Sequence, residues 1–237
     1  KEYQMVSAFT RARAGSNFDD DNRDSIGMNG VGSMITFVTS SLFDAKSSDG
    51  NLQVQMVGKN GQIDRIRTKE TSLKGTTVKF RPDYEFFGME TIDEAHTSMI
   101  EERVRSLALA FDGVRFRFNK KIVRLKFADY FGNCDMFNTE NAIFGIAKSD
   151  GSHQSASLVN GLSVKSGTHI DYLLNTIMQD FRDALKRRRK VDITAARLKQ
   201  HLRVHAIING FPALKFDSQT KERVTNSNAE CRDAIGE

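Results

Sequence analysis

Between Thr168 and Arg189 the apolar residues Ile170, Leu173, Leu174, Ile177, Met178, Phe181 and Leu185 recur every three or four positions. That spacing lines them up on one stripe of a long helix. Thr168 and Asp171 stand where a capping pair would open it, and five consecutive cations, Lys186 to Lys190, follow its last turn. A stripe of this length has to be buried against something, and the flanking sequence offers strands. Residues 142–148 and 153–159 read as two strands joined by Asp150-Gly151, and after a short helix at 194–200 a further strand is expected at 201–208. Strands, a long helix and a returning strand make an α+β unit.

The residues before it read differently. Ser7 to Asn22 is polar, ends in Asp19, Asp20 and Asp21, and is expected to be a loop. Gly27-Met28-Asn29-Gly30-Val31-Gly32-Ser33 then runs into Met34, Ile35, Phe37, Val38, Leu42 and Phe43, a spacing that suits an amphipathic helix. Residues 51–58 and 62–68 alternate across Gly58-Lys59-Asn60-Gly61, which predicts a β-hairpin, and a third strand is expected at Thr76–Arg81 before Pro82-Asp83. From Asp93 to Phe111 the period returns to that of a helix, with Asp93 and Glu94 in its first turn. A strand at 114–118 and a turn at Asn119-Lys120-Lys121 follow. We therefore divide the chain at about residue 90, into a first unit of residues 1–90 and a second of 91–237.

Composition removes several classes. No apolar run approaches the roughly 18–20 residues that span a bilayer, and the first residues lack the basic-then-apolar layout of a secretory leader. No membrane partner is expected. Cys134 and Cys231 lie far apart, so neither a CxxC metal site nor a disulfide framework is expected. The five histidines, His96, His153, His169, His201 and His205, share no metal-ligand spacing and read as structural or surface residues. The formal charge of +5 is unevenly spread. Between Arg182 and Arg203 stand nine Lys or Arg and only two Asp, so this one stretch carries more positive charge than the whole chain nets. Because Lys1 is not an initiator methionine, a piece of a longer protein is expected.

Two motifs carry chemistry. A glycine loop at a helix N-terminus presents unpaired N–H groups and partial positive charge, which suits phosphate. Its glycines let the main chain come close. Taken alone, however, GMNGVGS has neither the P-loop pattern nor a Rossmann context. Phe216-Asp217-Ser218-Gln219-Thr220-Lys221-Glu222 places an amide, a hydroxyl and a cation in a row, suited either to reaching phosphates or to a plain surface loop.

Read together and in order, five stretches resemble the ATPase region of type IIA DNA topoisomerases. They are Ser16-Asn17 with the acids after it, Gly27–Ser33, Gly75–Asp83, Leu158–Tyr172 (LVNGLSVKSGTHIDY) and Lys215–Glu222 (KFDSQTKE). The wording is closer to the eukaryotic and T-even phage enzymes than to bacterial gyrase. This resemblance implies the later part of a GHKL (Bergerat) ATP-binding domain with its lid, followed by a transducer with the ribosomal-protein-S5-like fold. It implies ATP as ligand, with Gly15, Ser16 and Asn17 at the sugar-phosphate end and Gly27, Met28, Asn29, Gly30, Val31, Gly32 and Ser33 around the triphosphate. Gln219 and Lys221 would reach the γ-phosphate, with Thr220 between them also in the ATP site. Lys186, Arg187 and Arg188 correspond to a basic loop facing double-stranded DNA, although five neighbouring cations also suit a solvated helix end.

The resemblance further implies an ATP-gated homodimer, other topoisomerase subunits if the protein is phage-like, and a place in the cytoplasm, or the nucleus if eukaryotic. It departs from the family in two ways. The family's catalytic carboxylate and magnesium-binding Asn lie ahead of the lid, and neither pattern occurs here, so no catalytic residue is expected in this chain and little ATPase activity from it alone. Magnesium would be held outside it. Met34 stands where eukaryotic members carry a lysine. The rival readings are an S5-like nucleic-acid-binding module without nucleotide chemistry and another GHKL protein, such as a mismatch-repair ATPase or chaperone.

Overall fold

A computed structural model describes residues 3–14, 30–218 and 220–236. They divide into two compact units, with the change at His96/Thr97.

In the first unit, α1 (Gln4–Thr10) and α2 (Gly32–Val38) lie on a four-stranded antiparallel sheet of β1 (Ser40–Asp49), β2 (Leu52–Lys59), β3 (Gln62–Glu70) and β4 (Lys74–Pro82), ordered β3-β2-β1-β4. Its core is small: Val6, Phe37, Phe43, Ala45, Val54 and Met56. Three rings close it, with Phe9 and Phe37 placing their centroids 4.9 and 5.0 Å from Phe43. Phe37 also explains Gly58, since a side chain there would run into the Phe37 ring and the Gln62 carbonyl.

Two expectations fail in this unit. Ser7–Thr10 is helical rather than loop, because Met5, Val6 and Phe9 form an apolar face that docks on the core. The helix expected to continue through Phe43 stops at Val38. Thr39 Oγ1 donates to Ile35 O at 2.8 Å and Ser40 Oγ to Thr36 O at 2.5 Å, closing the last turn with side chains that compete with the helical backbone. Leu42 and Phe43 then belong to β1, which is paired along both edges.

The second unit contains α3 (Glu94–Ala110) from Thr97 onward, the hairpin β5 (Arg117–Phe118) and β6 (Lys121–Ile122), and α4 (Phe127–Phe131). Its main sheet contains β7 (Asp135–Asn138), β8 (Ala142–Lys148), β9 (Gln154–Val159) and β10 (Leu162–Val164). After β11 (Ser166–Gly167) come α5 (Thr168–Arg189), α6 (Ala195–Lys199), β12 (Leu202–Ile208), β13 (Arg223–Val224) and α7 (Asn228–Ile235). The sheet order is β10-β9-β12-β8-β7. β12 runs parallel to β9 and antiparallel to β8, the parallel pairing being made possible by the α5 crossover.

Alternation along β12 places Val204, Ala206 and Ile208 in the core shared with α5, while Ile207 joins Ala110, Phe127 and Phe131 on the other face. The sheet is thus covered on both sides. The strand expected at 114–118 shrinks to Arg117–Phe118, the part that has a partner in β6. The Thr168/Asp171 capping pair does not form either. Gly167 is the N-cap with no side-chain cap, and Asp171 instead accepts from Lys199 Nζ at 3.1 Å.

Candidate functional site

The segment around KFDSQTKE is a loop on a rigid base. Phe216 and Val224 form a β-bridge across it, Asp217 N donates to Arg223 O at 3.3 Å, and Lys221 N to Ser218 O at 3.2 Å. Lys221 sits in the left-handed region at φ 58°, which turns the chain at that residue. Ser218 Oγ lies 2.8 Å from Thr220 Oγ1, and Glu222 is paired with Lys165 Nζ at 2.8 Å. Below the loop, the buried Asn226 side chain donates to Ala213 O at 3.1 Å and accepts from Lys215 N at 2.8 Å. Lys215 Nζ reaches Glu230 Oε1 at 2.7 Å, and Glu230 also closes the capping box of α7 on Ser227. Lys215 and the Ser227 donors hold the Glu230 carboxyl down to about 2.

This base is joined to the start of α5. β13 pairs in parallel with β11, matching Val224 to Gly167, and Thr168 Oγ1 donates to Val224 O at 3.4 Å. Gly167 has φ 143°, and an added Cβ would meet Val224 N at 2.7 Å, so only glycine lets the two strands close here. Two residues on, His169 is fully buried, with Nε2 2.7 Å from Ser157 Oγ. Ser157 Oγ itself donates to Val164 O, so His169 is the donor to Ser157 and its Nε2 carries the proton. Burial pushes its pKa down to about 4. It packs, as its position in GTHIDY suggests, and stays neutral.

The other end of α5 carries the charge. Lys186, Arg187 and Arg188 stand exposed on its last turn, and Lys190 ends the helix in the left-handed conformation at φ 59°. Arg187 Nε donates back to Asp183 O at 3.3 Å, and Lys186 lies 3.8 Å from Asp192 across an exposed pair. Along the helix, at about 1.5 Å per residue, the loop base and these cations stand about 27–30 Å apart on a single rod.

Of the residues expected to meet nucleotide, Gly15, Ser16, Asn17, Gly27, Met28, Asn29 and Gln219 lie outside the described residues. Gly30, Val31, Gly32 and Ser33 lie together in the first unit, and Thr220 and Lys221 in the second. Gly30 has φ 58°, Val31 is the N-cap of α2, and Ser33 Oγ donates to Ala8 O at 2.5 Å. A Cβ at Gly32 would meet nothing within 4 Å, so the main chain there is open to a close-approaching group, as phosphate contact requires. Among the described residues no three His, Cys, Asp or Glu side chains gather as metal ligands would. Nor is any helix of the described residues long and apolar enough to cross a membrane. Sequence reading missed Gly167, Asn226 and α7, although Ser227-x-x-Glu230 is a capping-box signal for that helix.

These two units have the architecture of the ATPase and transducer region of type II DNA topoisomerases. The ATPase region of Saccharomyces cerevisiae topoisomerase II superposes with a TM-score of 0.84 at 21% identity, covering 100% of this chain and 65% of that one. The ATPase and transducer domains of Balamuthia mandrillaris topoisomerase II give 0.87 at 21%, covering 99% and 64%.

In sequence the chain is similar to the DNA topoisomerase large subunit of Enterobacteria phage T4, at 31% identity over 237 residues, 97% of this chain and 46% of that subunit. It is 30% identical to DNA topoisomerase 2 of Pisum sativum, over 97% of this chain and 17% of that protein. The chain therefore spans less than half the length of these relatives. No protein-family model matches it.

Proposed function

We propose that this chain is the ATP-lid and transducer segment of an ATP-dependent type II DNA topoisomerase, in which nucleotide binding and hydrolysis drive passage of one DNA duplex through another. The observation that carries this reading is likeness to the T4 large subunit along 97% of the chain. In this reading residues 1–90 are the later part of the ATP-binding domain and 91–237 the transducer.

Gly15, Ser16, Asn17 and the amides of Gly27–Ser33 bind the sugar and phosphates, while Gln219 and Lys221 bind the γ-phosphate, with Thr220 between them also in the ATP site. The loop that offers Lys221 is anchored at Val224 to the first residues of α5, so a change at the γ-phosphate is felt at one end of the rod whose other end holds Lys186, Arg187 and Arg188. These three contact the phosphate backbone of double-stranded DNA without reading sequence. The partners are DNA, a second copy in an ATP-gated dimer and, in a phage-type enzyme, further subunits. The compartment is the one that holds the DNA, the cytoplasm or a nucleus. Water activation and magnesium belong to residues ahead of the lid.

Calorimetric titration of the 237-residue chain with a non-hydrolysable ATP analogue tests this. Saturable binding that Lys221→Ala weakens, with hydrolysis of ATP no faster than in buffer, is the expected result. Equal binding by the parent and Lys221→Ala removes the γ-phosphate role. Hydrolysis well above buffer that disappears in Lys221→Ala overturns the assignment of the catalytic carboxylate to another segment.

A further inference from the structure

We infer that the β5–β6 hairpin is a second duplex-DNA contact surface, separate from the basic end of α5. Residues 113–128 contain Arg115, Arg117, Lys120, Lys121, Arg124 and Lys126 and no carboxylate. All six cations are exposed, and none makes an ion pair within 4 Å among the described residues. Three lysines elsewhere in this unit do have carboxylate partners: Lys165 with Glu222, Lys199 with Asp171 and Lys215 with Glu230. Six such neighbours repel one another, and a polyanion relieves that repulsion.

The backbone supports the same reading. Arg117↔Ile122 and Phe118↔Lys121 pair across the two-residue turn Asn119-Lys120, whose φ values of 46° and 68° are those of a type I′ turn. Glycine is the favoured second residue of such a turn, yet a lysine occupies it at a conformational cost. The cation therefore stands at the tip of a two-stranded ribbon, a shape that a DNA groove admits. Beside the ribbon lie two concavities of about 410 and 420 Å³. One is lined by Arg105, Lys121 and Arg124 with Glu101, the other by Arg115 and Arg124 with Asp112. Cations strung along a protruding ribbon suit an extended phosphate backbone rather than one small anion.

This proposal rests on the DNA-binding part of the function proposed above, and the two can fail separately. The test is fluorescence anisotropy of the 237-residue chain with a duplex of about 20 base pairs across a salt series, alongside vesicles containing phosphatidylserine. Lys120→Gly keeps the turn, so its melting temperature is expected to be equal to or above the parent's while the salt slope falls by about 0.9. The triple change Lys120→Gly, Lys121→Gln, Arg124→Gln is expected to lower the slope by about 2–3. A folded triple variant with the parent's slope and affinity overturns the hairpin site and leaves the α5 cations standing. Loss of vesicle binding with DNA binding unchanged overturns it in favour of a lipid surface. No DNA binding by the parent overturns both surfaces together.

Discussion

The two sheets of this chain solve the same burial problem to different degrees. In the second unit β12 is covered from both sides, by α5 over Val204, Ala206 and Ile208 and by α3 and α4 over Ile207. In the first unit the strand register places Phe43, Ala45 and Met56 on one face with Ile63, Ile66, Val78 and Phe80 beside them. Only the middle of that face is covered by α1 and α2. The four flanking residues remain between 39 and 52% exposed. The difference teaches that the second unit is closed around its own core, while the first carries an apolar face wider than the two helices packed on it. Such a face behaves as part of a larger interface rather than as a finished surface.

Truncating one phenylalanine in each unit tests this contrast most severely. Phe211 is fully buried in the α5 core, so Phe211→Ala is expected to cost about 3–5 kcal/mol in urea unfolding of the second unit. Phe80→Ala, at a site 52% exposed, is expected to cost under about 1 kcal/mol. Comparable losses would mean that the flank of the first sheet is covered in solution, and sedimentation would then reveal self-association.

Acid separates the units next. His169 is neutral and buried in the second unit, with its pKa lowered to about 4 against 6.5 for the free side chain. The unfolded chain therefore takes up a proton between these values that the folded unit refuses. Stability is complete above about pH 6.5 and falls as the pH drops towards 4, by about 3 kcal/mol. No buried histidine stands in the first unit's core, so its transition is expected to shift less over this window. His169→Gln removes one of two such groups, since burial and then Arg203 also push the His205 imidazole down, and unfolding midpoints at about pH 7.5 and 5 that differ as much as the parent's would assign the acid response to His205 or elsewhere.

How legible each region was follows from how local its causes are. The long helix declares itself because its stripe is set by residues three and four apart, and α5 occupies Thr168–Arg189 as expected. β1 is opaque. In SSLFDAKSSD only Phe43 and Ala45 enter the apolar core, and the strand exists because β2 and β4 pair with both of its edges. The loop at Lys221 was legible as a family wording, but its support was not. Gly167 is required by Val224, far along the chain, and Asn226 by Ala213 and Lys215, contacts that no local pattern announces.

That support gives a third test. Asn226→Ala leaves Ala213 O and Lys215 N without their buried partner and is expected to cost about 2 kcal/mol. It is also expected to weaken binding of the ATP analogue, because the loop base loses its brace while Lys221 is untouched. Aspartate in its place retains the acceptor for Lys215 N and should restore part of the binding. Loss of stability with the analogue bound as tightly as by the parent would make Asn226 a packing residue only.

The smallest effect on stability belongs to the most charged place. Lys186, Arg187 and Arg188 are exposed on the last turn of α5, where cations gain at most about a few tenths of a kcal/mol each from the helix end. Their mutual repulsion offsets part of that, so replacing all three by Gln is expected to change unfolding of the second unit by under about 0.5 kcal/mol. In DNA binding the same triple change is expected to lower the salt slope by about 2–3, one increment for each DNA phosphate that is no longer neutralised. The two readouts move in opposite ways for the two explanations of the cluster. A solvated helix end that serves only the dipole would lose stability and leave the salt slope where it was, whereas a DNA surface loses slope and keeps its fold.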